Sequence, residues 1–252
     1  MVTTEPFSSS LFSDQSRDFI LHKRILIIGG TSGVGAELTK HYVNAGHDVW
    51  ITGRRRPEKT EATFLPLNIS ADPKQLAQDL DLLLADIGKL HTLIFAAGYL
   101  QRGHIDDLTD DDLATMVNTG LLAPMLLVKR LKREAIGPLK VILISSSSQY
   151  TPREREPAYS ATKAAMGMLG ASLARDPDLG KVLVVAPSGI ATAFWDGSGE
   201  DTSTMLDPHW VSNQIVDLSS GPFKYKYAKI LRHPARVEVV ECLNNQMEPA
   251  TP

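Results

Sequence analysis

The chain has 252 residues, 43% hydrophobic and 22% charged, with 26 Lys and Arg against 29 Asp and Glu for a formal charge of −3. That is enough apolar material for one sizeable core, which excludes wholesale disorder, and the near-even balance gives no pull toward nucleic acid or an anionic membrane. One cysteine, Cys242, excludes an intrachain disulfide and a thiolate metal cluster, and no apolar run reaches the ~20 residues of a membrane-spanning helix. A soluble, cytoplasmic protein without metal is expected.

Residues 1–22 are Ser- and Thr-rich, with Phe7, Leu11, Phe12 and Phe19 scattered among charges and no basic stretch leading into an apolar one. They read as a flexible leader rather than a secretory signal, or as an arm that lays its phenylalanines on a partner subunit. Residues 23–243 read as one domain, and 244–252, with Pro249 and Pro252, as a tail.

Within the domain, short apolar runs alternate with helical stretches. Arg24–Ile28 is a continuous apolar run that ends at glycine, as a strand buried on both faces would. Residues 48–52, 92–95, 140–144 and 181–185 repeat it. Helices are expected over Ala36–Asn44, over Pro73–Ile87 and from Thr109, where Asp112 completes a capping box. Residues 232–241 add a last edge strand. Such alternation predicts an α/β fold, a doubly wound parallel sheet of Rossmann-like type in a three-layer α/β/α sandwich.

In such a sheet, ligands sit beyond the carboxyl ends of the strands. The first strand runs into Gly29-Gly-Thr-Ser-Gly33-Val34-Gly35 and then a helix. Glycines there let the backbone approach a pyrophosphate on the positive helix terminus. After the second strand the chain reads Gly53-Arg54-Arg55-Arg56, with no acid until Glu58 to accept from a ribose 2′-hydroxyl. Arg54 and Arg55, with the Thr31 and Ser32 hydroxyls, suit a 2′-phosphate, so NADP(H) is favoured over NAD(H). The competing reading is a solvated basic turn, the better one for Arg56.

The catalytic signal is Tyr159-Ser-Ala-Thr-Lys163, which puts a phenol and an ammonium on one helical face. A phenol near pKa ~10 is a poor proton-transfer group at neutral pH, and a nearby cation can bring it down. Upstream, the strand over 140–144 ends in Ser145-Ser-Ser-Ser148.

Together these motifs resemble the short-chain dehydrogenase/reductase family in its shorter, single-domain form, from about Lys23 to Leu218. The resemblance implies a catalytic tetrad of Tyr159, Lys163, Asn118 and Ser146, the serine thirteen residues before the tyrosine, with Ser147 as the alternative register. Asn118 would hold a water that links Lys163 to solvent. Pro187-Ser-Gly-Ile190-Ala-Thr192 resembles the segment that holds the nicotinamide carboxamide, and Asn68 stands where the family often has an Asp against the adenine. Ala97 and Gly98 would pass the adenosine, although Phe95-Ala96 replaces the family's paired asparagines. The implied activity is NADP(H)-dependent reduction of a ketone or aldehyde to an alcohol, or the reverse. Partners would be a small carbonyl or alcohol substrate and further copies of the chain, as a dimer or tetramer, with no nucleic acid or membrane. A non-catalytic NADP(H)-binding protein is the alternative, and a lyase or epimerase is disfavoured by the glycine spacing.

Residues 193–206 fall where the family carries a substrate lid, with Gly197 and Gly199 as hinges. Phe194, Trp195, Met205 and Leu206 either wall a pocket or pack on the core. Gln149, Tyr150 and Arg153 precede the catalytic helix and can reach substrate, while Arg153-Glu-Arg-Glu156 reads more simply as a solvated charge run.

Overall fold

The computed structural model describes residues 22–244, so the leader and most of the tail lie outside the described residues. Seven parallel strands and one antiparallel strand form a single sheet in the order β3-β2-β1-β4-β5-β6-β7-β8. These are β1 (Arg24–Ile28), β2 (Asp48–Gly53), β3 (Thr63–Pro66), β4 (Thr92–Phe95), β5 (Leu139–Ile144), β6 (Leu179–Pro187), β7 (Tyr225–Arg232) and β8 (Ala235–Leu243). Strand order reverses between β1 and β4, and there two diverging loops open a crevice.

The continuous apolar runs are explained by helices on both faces. Ile25 and Ile27 of β1 point to one side, with α1 (Gly33–Asn44) and α6 (Pro208–Leu218) packed over them through Leu38, Val211 and Ile215. Leu26 and Ile28 point to the other, under α2 (Pro73–Ile87), α4 (Ala123–Leu131) and α5 (Pro157–Leu173). Phe95, at the end of β4, is fully buried on that second side. The family's asparagine position is thus a core position here.

Helix starts follow local chemistry. Asp72 accepts from the Lys74 amide at 2.8 Å with Pro73 opening α2, and Asp207 accepts from the Trp210 amide at 2.7 Å with Pro208 opening α6. The expected capping box at Thr109 and Asp112 is formed at the start of α3 (Asp110–Val117). The chain does not stop there. It passes through a π-helical turn, Asn118–Leu122, directly into α4.

Three features differ from the expectation. The first helix begins at Gly33, inside the glycine turn, so the turn itself supplies the helix terminus. β3 and β7 carry no clear signal of their own, because β3 has only two half-covered residues between two exposed ones and β7 sets Lys226 and Lys229 among core residues. The last strand is displaced to Ala235–Leu243 and runs antiparallel to β7. Among the described residues no helix is long and apolar enough to cross a membrane.

At the opposite end of the sheet, lysines converge on the C-terminus of α6. Lys140 Nζ donates to the Ser219 carbonyl at 2.9 Å and Lys226 Nζ to the Leu218 carbonyl at 2.8 Å, a favourable site for cations. Burial, then Lys181, Lys23 and Lys226, push the Lys140 ammonium down to about 7. A lysine with a lowered folded pKa binds fewer protons than the unfolded chain between about 7 and the ordinary 10.5, so stability rises with pH across that window. Thermal melts should show Tm climbing from pH 7 to pH 9.5, and Lys140→Met should flatten part of that rise.

Candidate active site

The crevice is an open cleft of about 1670 Å³ along the carboxyl ends of the strands. Its floor is the turn between β1 and α1. Gly29 has φ +81°, and a Cβ there would lie 2.7 Å from the Ala97 amide nitrogen. A Cβ at Gly35 would lie 2.1 Å from the Gly29 carbonyl oxygen. The turn can therefore be this tight only with glycine at both positions. Thr39 stiffens it from within α1, its hydroxyl lying 3.0 Å from the Gly30 carbonyl and 2.8 Å from that of Gly35.

Thr31, Ser32, Gly33 and Val34 line the cleft beside Gly29 and Gly35, and Arg54, Arg55 and Arg56 line its rim at the end of β2. All three arginines are exposed. Thr31 packs against Gly53, where a Cβ would come 2.2 Å from its hydroxyl oxygen, so the glycine turn and the arginine turn are neighbours. Asn68, Ala97, Gly98, Pro187, Ile190 and Thr192 line the same cleft. Thr192 crosses over the glycine turn, its Cγ2 lying 3.2 Å from where a Cβ on Gly33 would be.

Ser146, Tyr159 and Lys163 line the same cleft. Tyr159 and Lys163 project from one face of α5, and the Lys163 Nζ lies 5.5 Å from the centre of the Tyr159 ring. The Lys163 Nζ donates to the Ile144 carbonyl at 3.1 Å, and the Ser145 hydroxyl donates to the Lys163 carbonyl at 3.1 Å. Two hydrogen bonds thereby tie α5 to the end of β5. Ser146 caps the short helical turn Ser147–Gln149, accepting from the Ser148 amide at 3.1 Å.

The electrostatics differ from the sequence expectation. Burial pushes the Tyr159 phenol well above its ordinary range. The Ser146 hydroxyl opposes that rise, Glu156 adds to it and Arg153 counters it. Burial also draws Lys163 down to about 8. Desolvation is the largest cause at both groups and disfavours the charged form of each, so the phenol is held protonated.

Asn118 is buried within the π-helical turn, and its amide donates to the carbonyls of Ser70 and Ala71 at 2.8 and 2.9 Å. That engagement ties the π-helical turn to the loop after β3 and leaves the Asn118 carbonyl oxygens, not the amide nitrogen, as groups that could hold a water. Gln149 packs on Gly167 and Tyr150 lies outside the cleft wall, whereas Arg153 lines it.

Residues 193–206 form a loop closed at its base by the Ala191 amide to the Leu206 carbonyl and the Leu206 amide to the Gly189 carbonyl, each 2.9 Å. Gly197 and Gly199 both have positive φ. Leu206 joins the core, while Phe194 stands over the cleft with its ring centre 6.2 Å from that of Tyr159. The loop is thus part core and part pocket wall. The charge run before α5 is not wholly solvated, because Glu156 is buried between Arg102 and Arg153. Arg102 and Glu200 carry no signal in the sequence, since neither belongs to a motif or a periodic segment.

A family model described as short chain dehydrogenase matches residues 23–203, most of the chain. The chain belongs to that family of oxidoreductases. It is 28% identical over 204 residues to the 2,3-dihydro-2,3-dihydroxybenzoate dehydrogenase of Escherichia coli, covering 77% of this chain and 76% of that one. A solved short chain dehydrogenase from Burkholderia cenocepacia in complex with NADP superposes with a TM-score of 0.67 at 24% identity, covering 79% and 91% of the two chains. The ligand-free aldohexose dehydrogenase of Thermoplasma acidophilum gives 0.71 at 18% identity, covering 83% and 93%. At these identities the superpositions show the fold.

The glycine cradle gives a direct test. Gly35→Ala must displace the Gly29 carbonyl, and should weaken binding of a dinucleotide at least tenfold by fluorescence titration while lowering Tm by several degrees.

Proposed function

We propose that the protein is an NADP(H)-dependent oxidoreductase that interconverts a ketone or aldehyde and its alcohol. The observation that supports this most is the sharing of one cleft by the glycine turn, Arg54, and the Ser146, Tyr159 and Lys163 side chains. Gly29 through Gly35 suit the pyrophosphate, and Arg54 and Arg55 with Thr31 and Ser32 suit a 2′-phosphate. Asn68, Ala97 and Gly98 suit the adenosine, while Pro187, Ile190 and Thr192 border the place for the nicotinamide. A Cβ-free, cationic-rimmed cradle of this kind fits the group, and the Burkholderia cenocepacia relative holds NADP. Bound there, the reduced nicotinamide supplies hydride to a carbonyl carbon.

The chain's own residues handle the proton. Tyr159 donates its phenolic proton to the carbonyl oxygen, and the Ser146 hydroxyl fixes that oxygen. Lys163, anchored on Ile144, holds positive charge beside the phenolate left behind. Phe194, over Tyr159, limits water at the reacting centre. Because burial keeps Tyr159 protonated, reduction finds its acid ready at neutral pH, whereas oxidation needs the rare phenolate.

Two outcomes follow. Tyr159→Phe should cut kcat for NADPH-dependent reduction by about 10²–10⁴-fold with NADPH affinity unchanged within about threefold. NADPH binding without turnover of any ketone, aldehyde or quinone by the unmodified protein would favour the non-catalytic alternative. In pH–rate profiles, reduction should be level near neutrality and decline above about 8 as Lys163 loses its charge, and oxidation should rise with pH from 6 to 8. Opposite slopes would contradict these assignments.

A further inference from the structure

Two arginines stand in the cleft wall on the side of Ser146 and Tyr159, away from the glycine turn. Arg153 is held by hydroxyls, its Nη2 donating to Ser147 at 2.9 Å and its Nε to Ser148 at 3.2 Å. Ser148 in turn donates to the buried Glu156 carboxylate at 3.1 Å. Glu156 lies 3.7 Å from the Nε of Arg153 with one oxygen and 3.7 Å from the Nε of Arg102 with the other. The Gly103 amide donates to the Arg155 carbonyl at 3.0 Å, which locks the Arg102 loop to the loop that carries Arg153. The two guanidinium groups are therefore fixed relative to each other and to the catalytic helix that Glu156 opens.

Charge and hydrogen bonding both leave this unit one acceptor short. Two guanidiniums face one fixed carboxylate, and Glu154 and Arg155 beside them are exposed and opposite in sign. The Arg102 Nε is buried with no hydrogen-bond acceptor. Such a donor is costly to leave unmet. The missing negative charge comes from Glu200, an exposed residue of the 193–206 loop, whose carboxylate accepts from Arg102 Nη1 across the cleft mouth. A carboxylate carried on a loop with two left-handed glycines is exchangeable in a way that buried Glu156 is not.

We propose that Arg102 and Arg153 form a receptor for a carboxylate on the substrate, which takes the place that Glu200 holds in this structure. The substrate class is then an oxo acid, or the matching hydroxy acid, with its carbonyl toward Tyr159 and its carboxylate on the arginine pair. This rests on the oxidoreductase reading for the reaction, but not for the binding. Guanidinium–carboxylate pairing in a partly enclosed wall gives both geometry and discrimination against neutral analogues.

The test pairs turnover with binding. The protein loaded with NADPH is assayed against oxo acids of increasing chain length and against their methyl esters. Separately, the protein is titrated calorimetrically with the unreactive dicarboxylates succinate and glutarate and their dimethyl esters. At least one oxo acid should exceed its ester tenfold or more in kcat/KM, and Arg102→Met should abolish that preference, the acid's kcat/KM falling to that of its ester. Glutarate or succinate should bind saturably where the diester does not. Binding should be lost in Arg102→Met and strengthened in Glu200→Gln, which removes the internal competitor. A merely structural ion-pair set would weaken both ligands in both variants, and that result would overturn the proposal. So would esters preferred over acids, or dicarboxylates that do not bind. If no carbonyl compound is turned over, the oxidoreductase reading fails while the titrations still decide this one.

Discussion

The Lys163 ammonium reaches the Ile144 carbonyl from inside a wall that excludes water, and the rest of the cleft is arranged around that bond. A buried cation requires a fixed partner, and the last carbonyl of β5 supplies it. The bond sets the rotation of α5, which places Tyr159 on the cleft side, and it sets the height of α5 against the sheet, which brings Ser146 within reach. Ser145 repeats the tie in the opposite sense by donating to the Lys163 backbone. Burial that makes the lysine dependent on this partner also holds the phenol protonated. Fold and chemistry are thus linked through desolvation of these two side chains.

Much of this arrangement is legible in the chain itself. β1 with its glycine turn, the apolar runs of β4, β5 and β6, and the capped helix at Thr109 carry local signals strong enough to read without partners. So does the pair Tyr159 and Lys163, because helical spacing alone puts them on one face. β3 and β7 are different. Their pairing partners, not their own composition, make them strands: β3 borrows its order from β2, and β7 from β6 and β8. The π-helical turn at Asn118 is equally silent in sequence, as are the bonds by which its amide reaches Ser70 and Ala71. The depth of Glu156 is a tertiary fact as well, since it depends on an arginine some fifty positions upstream folding over it.

The departures from the family's pattern have structural sense. Phe95 trades an amide for a core side chain under α4 and α5, and the neighbouring backbone at Ala97 instead meets Gly29 closely enough to shape the turn. The loop between β2 and β3 carries no helix, so its three arginines stay at the rim rather than being drawn into packing. The 193–206 loop is fixed at both ends of its base and held between them by Trp195 on the Ile190 carbonyl and by the Arg102–Glu200 pair at its tip.

The most direct measurement is an NMR titration of the ligand-free protein with ring-labelled tyrosine, the Tyr159 signal assigned by its absence in the phenylalanine variant. The account predicts that the Tyr159 ring carbon beside the hydroxyl keeps its protonated shift up to pH 10, beyond the point at which an exposed tyrosine begins to move. A Tyr159 signal that titrates below pH 9, and returns to normal when Lys163 is replaced by methionine, would show attraction winning over burial and would contradict it.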